Sequence, residues 1–138
     1  MRPLDDFIAL WTSKGVPLEF HDTINTPVPI DEFPATWGSA RYDVETRTDV
    51  TLGSNPYVEE RGVITVGLFA RSGTGGTVLD NAISFIREHF HGYASADGKL
   101  YYTQVEGPFE IEDVGGEWWQ VALAIPYVLQ STRAEPVP

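Results

Sequence analysis

The fold of this chain is decided by the segment GVITVGLFA, residues 62–70. Its apolar side chains follow one another almost without interruption, whereas a strand with one face in solvent would alternate apolar and polar residues. A run of this kind, bounded by glycine and charged residues, predicts a strand that is covered on both faces. We therefore place residues 62–70 in the centre of a sheet.

The preceding segment predicts a partner strand with one exposed face. Residues 40–52 alternate between two classes of side chain, as a half-buried strand does. One face carries Tyr42, Val44, Thr46, Thr48 and Val50, and the other carries Asp43, Glu45, Arg47 and Asp49. Residues 53–61 break the alternation, and we expect a loop there.

Helical spacing occurs in two other segments. Leu4, Phe7 and Trp11 predict a short first helix that Gly15 ends. It is followed by a possible brief strand at residues 16–21 and a proline-rich loop at residues 22–34.

A second helix is predicted after a flexible turn at residues 71–76. Thr77 and Asp80 fit a capping pair at its start, and Gly92 suits a left-handed cap at its end. Its apolar face is formed by Leu79, Ala82, Ile83, Ile86 and Phe90.

Three more strands are predicted, at residues 100–105, 109–113 and 117–127. A two-residue turn between the last two would pair Phe109 with Ala122, whereas a three-residue turn would pair Phe109 with Val121. The second register collects the large apolar side chains on one face, and we predict it.

The predicted elements describe an α+β domain with a mixed, largely antiparallel sheet and two helices packed on it. We expect residues 1–130 to form this single domain and residues 131–138 to form a flexible C-terminal tail.

The composition excludes several classes of function. Nine Lys and Arg against 20 Asp and Glu give a net charge of −11, which opposes tight binding to a nucleic-acid backbone. The absence of cysteine excludes disulfides, thiolate nucleophiles and cysteine-bound zinc. No apolar run approaches the roughly 18 residues of a membrane span, and acids interrupt the N-terminus, so we expect a soluble protein that is not secreted.

Two motifs resemble ligand sites but lack parts that such sites need. Residues 72–77, SGTGGT, lie between a strand and a helix but have neither a P-loop ending nor dinucleotide spacing, so we expect no cofactor. His89 and His91 would project roughly 200° apart on a helix, and His21 is distant in sequence, so we expect no metal site. The presence of His89 is explained by its position near a helix C-terminus, where the helix dipole favours a cationic side chain.

Catalytic groups are not indicated either. The carboxylates of Asp43, Glu45 and Asp49 share a predicted strand face, but Arg47 lies among them, and we interpret this face as a solvated surface. The chain has no Gly-x-Ser-x-Gly motif and no histidine beside a plausible serine. We predict that the protein is not an enzyme and has no catalytic residues.

Two adjacent tryptophans mark a surface. Trp118 and Trp119 must point to opposite faces of a strand, so only one of them can enter the core. The predicted register assigns Trp118 to a contact surface, with burial under the first helix or the proline-rich loop as the alternative.

Several segments together carry a resemblance to a known family: ERGVITVGLF (60–69), GTG (73–75) and LDNAISFIREHF (79–90), extended by FPA (33–35), GEWW (116–119) and IPY (125–127). Trp37 and Arg41 belong to this set as well. In these segments the sequence resembles the tail terminator (tail completion) proteins of long-tailed bacteriophages. These motifs cover most of the chain but consist of packing and turn residues.

The resemblance implies a subunit that assembles into a six-membered ring on the head-proximal end of the tail tube. Such a ring stops tube polymerisation and presents a docking face to the head. Its partners would be further copies of itself, the major tail tube protein and a head-completion protein. The protein would be made in the host cytoplasm and reside in the virion, where DNA would pass through the ring only as cargo. The sequence leaves open whether the isolated protein is a monomer or a ring.

Flexible segments beside a rigid strand can become ordered on assembly, so we assign residues 53–61 and 71–76 to contacts with a neighbour or the tube. We predict interface roles for Arg61, Arg71, Trp118 and Asp49. The two arginines would pair with acids of the next subunit. The alternatives are another component of the head–tail neck, including a head-completion protein, and a small host ligand-binding domain.

Overall fold

A computed structural model describes residues 3–20, 36–50, 57–71, 76–95, 98–111 and 118–132. In this part of the chain a six-stranded sheet carries two helices. The elements are α1 (Pro3–Lys14), β1 (Glu19–Phe20), β2 (Thr36–Val50), β3 (Tyr57–Arg71), α2 (Gly76–Phe90), β4 (Leu100–Tyr102), β5 (Glu106–Ile111) and β6 (Trp118–Thr132).

The sheet is mixed and largely antiparallel. Its strand order is β1-β2-β3-β6-β4, and β5 also pairs with β6. Only β1 and β2 are parallel among these pairs. The predicted α+β class and the central position of residues 62–70 are therefore confirmed.

One face of β3 forms the floor of the core. Ile64, Val66, Leu68 and Ala70 alternate along this face and are fully buried. Both helices pack their apolar sides against it, in one continuous cluster. Each large aliphatic side chain removed from water in this way contributes roughly 1.5–3 kcal/mol before the loss of chain entropy is counted. The opposite face of β3 is half-buried, so the predicted cover is complete only on the helix side.

The first helix is fixed to the sheet by a close backbone approach. A Cβ on Gly38 of β2 would lie 2.7 Å from the ring of Trp11, so a side chain there would push the helix away. The indole Nε1 of Trp11 donates to the carbonyl of Leu18 at 2.9 Å. Glycine at position 38 therefore sets the distance between α1 and the sheet.

The predicted helix ends agree with the structure, while one predicted cap does not. Gly15 and Gly92 have φ of 74° and 67°, in the left-handed region that glycine favours. The second helix already includes Gly76, so Thr77 lies within its first turn instead of preceding it. The proline-rich loop at residues 22–34 falls outside the described residues.

Two predicted irregular segments belong to strands instead. Strand β3 begins at Tyr57, so residues 57–61 are not part of a loop. Strand β6 continues to Thr132, so residues 131–132 are not part of a flexible tail, and residues 133–138 are not described. The reason is mutual pairing: residues 57–61 bond to β2 on one side and to residues 128–132 on the other.

Strand β4 spans only residues 100–102 of the predicted 100–105, and the predicted register of the last hairpin is wrong. Phe109 lies opposite Ala122 and Ile111 lies opposite Gln120, which is the register of the rejected two-residue turn. Val121 is already buried in the helix-covered core, and the irregularity in β5 between Glu106 and Phe109 changes the pairing only on the side away from the turn. Phe109 is exposed as a result. The turn itself is not described.

Tyr102 is a buried side chain with an unusual polar end. Its ring is stacked with the ring of Phe90, with 6.5 Å between the ring centres, and its ring centre lies 5.3 Å from that of Tyr93. Its hydroxyl has no hydrogen-bond partner in the described part of the chain. Burial, followed by the negative charge of Asp6, raises the pKa of Tyr102.

We expect Tyr102→Phe to keep the free energy of unfolding or to raise it by up to about 1 kcal/mol, because removal of the hydroxyl breaks no hydrogen bond to any residue that the structure describes. A raised pKa in the folded state means that unfolding releases a proton, so wild-type stability falls as the pH rises above the ordinary tyrosine value of 10.0. The variant should fall less steeply. Urea unfolding at neutral and alkaline pH tests both points, and a loss above about 1 kcal/mol at neutral pH contradicts the first.

Candidate functional site

Glu60 is the only buried charged residue in the described part of the chain, with 7% of its surface exposed. It lies in β3 where the far end of the hairpin formed by β2 and β3 joins the helix-covered part of the sheet. We call this far end the arm, defined as residues 45–50 of β2 and residues 57–61 of β3. A carboxylate can be buried at this junction only if donors compensate its charge.

Two neighbouring strands supply those donors. The guanidinium of Arg47, from β2, donates to Oε1 of Glu60 at 2.5 Å. The hydroxyl of Tyr127, from β6, donates to Oε2 of Glu60 at 2.9 Å. Both carboxylate oxygens are thus engaged by charge-assisted bonds, which are stronger than bonds between neutral groups. We call Arg47, Glu60, Gly62 and Tyr127 the Glu60 cluster.

The cluster changes the acid–base behaviour of its members. The hydrogen bond to Glu60 and the attraction between the two charges raise the pKa of Arg47. Burial raises the pKa of Tyr127, and the hydrogen bond and negative charge of Glu60 raise it further. Around neutral pH both groups therefore stay protonated and continue to donate to Glu60.

A β-bulge brings Arg47 to Glu60. Val44 is opposite Gly62, but Thr46 is opposite Arg61, so Glu45 is one residue in excess. Such an insertion reverses the faces of the residues that follow it. Arg47 and Asp49 consequently lie on the face opposite to the one that strict alternation predicts.

This reversal corrects the predicted half-buried strand. Asp43, Arg47 and Asp49 do not share one face, because the bulge separates them. Residues 43–49 of β2 are all exposed, so neither face of this part of the strand is covered as the alternation predicts. The alternation describes the side-chain pattern but not the geometry of this edge strand.

Gly62 gives Tyr127 room to cross β3. The two residues are directly opposite each other in the register of β3 and β6. A Cβ on Gly62 would lie 2.6 Å from the Tyr127 hydroxyl and would also collide with the backbone oxygen of Asp43. Any larger residue at position 62 would therefore displace the tyrosine from Glu60.

The predicted interface residues fall into two groups at opposite ends of β3. Arg71 and Trp118 face each other in the register of β3 and β6. Arg61 and Asp49 lie in the arm. Arg71 is ten positions along the strand from Arg61, a distance of about 33 Å. The structure thus places Arg71 opposite Trp118, whereas Arg61 and Asp49 lie on opposite faces of the arm, and the four residues do not form one site.

Arg61 already has an acidic partner in its own chain. Its Nε donates to Oε1 of Glu59 at 2.7 Å, and its side chain is 55% exposed. This hydrogen bond raises the pKa of Arg61. The predicted pairing of Arg61 with the next subunit would have to compete with Glu59.

His89 and His91 do not form a site with other described ligands, and His21 lies outside the described residues. His89 lies in the last turn of α2, where its ring packs against Phe85 at 4.2 Å, and His91 follows the helix. Over the described ranges, no three His, Cys, Asp or Glu side chains are grouped to hold a metal ion. Neither helix of the described structure is long and apolar enough to cross a membrane.

Sequence reasoning missed Glu60 and Tyr127. One signal was available: Glu60 occupies the same strand face as Ile64 and Val66, which are buried. A carboxylate in phase with a core face predicts a compensated buried charge. The assignment of residues 53–61 to a loop hid this phase.

Comparisons with models of known protein families and with curated protein sequences found no match. The resemblance to tail terminators therefore stands on the residues quoted above.

Glu59 and Glu60 offer a matched test of the cluster. We expect Glu60→Gln to lower the free energy of unfolding by about 1.5 kcal/mol or more, because one buried carboxylate oxygen becomes an NH₂ group that cannot accept a hydrogen bond from Arg47 or Tyr127. Glu59→Gln weakens an exposed pair and should cost less than about 1 kcal/mol. Urea unfolding at neutral pH measures both values, and equal losses in the two variants would show that burial does not strengthen the pair.

Proposed function

We propose that this protein is a structural virion subunit that forms a ring on the head-proximal end of a phage tail tube. The ring ends tube polymerisation and provides the surface to which the head docks. The resemblance in sequence suggests this role. The arm is the structural observation that supports it.

The arm is a paired strand hairpin that adds little to the core. Its β2 residues are exposed from position 45 to position 49, yet residues 46–50 are all paired with residues 57–61. The buried Glu60 fixes it to the rest of the sheet through Arg47 and Tyr127. A buried carboxylate that needs two donors is an inefficient way to gain stability when compared with apolar packing. We infer that the cluster serves to hold the arm in position for contact with another molecule.

The arm also lies at an edge of the sheet. β1 pairs with β2 only at Trp37 and Gly38, and no other described strand pairs with that side of β2. A contact between this edge region and a different surface of the next copy is heterologous. Heterologous contacts close into rings when the rotation between copies is a fraction of a full turn.

The charge of the chain suits a channel for DNA. A net charge of −11 per subunit would repel the phosphate backbone and let DNA pass without binding. The two faces of such a ring would meet different partners, the tail tube protein on one side and a head-completion protein on the other.

Deletion of the gene from the phage genome that carries it tests this function. We expect tails of uncontrolled length that are not attached to heads, because nothing would then stop the tube or present a docking face. Electron microscopy of lysates measures tail length, and expression of the wild-type gene from a plasmid is the control that restores normal particles. Tails of normal length without heads would instead indicate a head-completion role and contradict the proposal.

A further inference from the structure

We propose that one face of the hairpin, formed by Tyr42, Val44 and Arg47, is the surface that binds a carboxylate-bearing segment of a second copy of this chain. We call it the docking patch. The inference rests on the proposed function and names the contact through which the ring would form.

Val44 supplies an exposed apolar centre. It is 44% exposed and lies in β2 directly opposite Gly62, which has no side chain to cover it. Tyr42, two positions away, is half-buried, and its ring makes an edge contact with Tyr127 at 6.4 Å. An apolar side chain beside a fixed aromatic ring is typical of the centre of a protein interface.

Arg47 supplies an oriented cation beside Val44. Its side chain remains 61% exposed although one of its terminal nitrogens is bound to Glu60. A guanidinium has five N–H donors, so donors remain for a second carboxylate. Because Glu60 already holds the guanidinium in place, Arg47 would lose less side-chain entropy on binding a partner than an unrestrained lysine or arginine would. Arginine and tyrosine are also enriched among the residues that dominate binding energy.

The charge balance of the chain points to a second copy as the occupant. Each copy carries 20 acidic residues and only nine Lys and Arg. Copies of so acidic a chain repel one another unless the contact places a cation against a carboxylate. Arg47 is a cation that is both exposed and fixed, next to an exposed apolar side chain.

Side-chain docking fits this region better than addition of a strand to β2. A bulge at Glu45 and charged side chains along the edge are the features that block strand pairing between molecules. The same bulge turns Arg47 toward Val44. Arg61 takes no part, because the register places it on the opposite face of the sheet.

Val78 provides a matched control for Val44. It is 39% exposed, in α2, so the two valines differ in position but hardly in exposure. The photocrosslinker benzoylphenylalanine is placed at position 44 or at position 78 of the full chain. Photocrosslinking also captures short-lived contacts, so it detects the patch even if the purified protein is mostly monomeric. We expect a two-chain product from position 44 and at least about tenfold less from position 78.

A second pair of variants links the patch to assembly. Val44→Asp places a like charge against the incoming carboxylate and should fail to complement the gene deletion, whereas Val78→Asp should complement it. Thermal unfolding checks that both variants fold, and neither substitution touches Glu60.

Each outcome decides the inference. A two-chain product from position 44 together with failure of Val44→Asp supports it. Equal products from both positions, no product from either, or a product between position 44 and a different virion protein overturns it. The deletion phenotype is independent of these results, so uncontrolled tails combined with a negative crosslink would reject the docking patch and leave the proposed function standing.

Discussion

A carboxylate can leave water only where hydrogen-bond donors compensate its charge. Glu60 is buried at the base of the arm, and the rest of the arm depends on how its charge is compensated. One donor comes from each neighbouring strand, Arg47 from β2 and Tyr127 from β6. Arg47 reaches the carboxylate because of the bulge at Glu45, and Tyr127 reaches it because position 62 is glycine. The bulge, the glycine, the arginine and the tyrosine are therefore parts of one arrangement.

The sheet serves two different purposes along its length. Where the helices cover it, β3 is a floor of buried aliphatic side chains that supplies the stability of the domain. Beyond Gly62 the same strand continues into the arm, where stability comes from backbone pairing and the Glu60 cluster. A domain built in this way keeps a surface rigid without burying it, as the proposed ring subunit would require. The docking patch follows from this division, since the device that fixes the arm also orients Arg47.

The sequence predicts the core more fully than the arm for a physical reason. Apolar periodicity reports burial, so the faces of both helices and the central position of β3 follow from residues such as Phe7, Ile64 and Ile86. The arm is held by pairing and charge, which leave no apolar period. Its charged residues Glu59, Glu60 and Arg61 therefore predict a loop although they form a strand. A single inserted residue, Glu45, also reverses the faces that alternation assigns to Arg47 and Asp49. Arg71 and Trp118 lie at the end of β3 opposite to the arm, and their interface roles stay predictions.

The central claim is that Glu60 holds the arm rigidly to the core, and amide hydrogen exchange tests it most directly. The account predicts slow exchange for the amides of residues 58–61 in the wild type, because β3 is paired on both sides there. It further predicts that Glu60→Gln accelerates exchange in the arm while Ile64, Val66 and Leu68 stay protected. Fast exchange of the arm in the wild type, or an arm that Glu60→Gln leaves unchanged, would contradict the account.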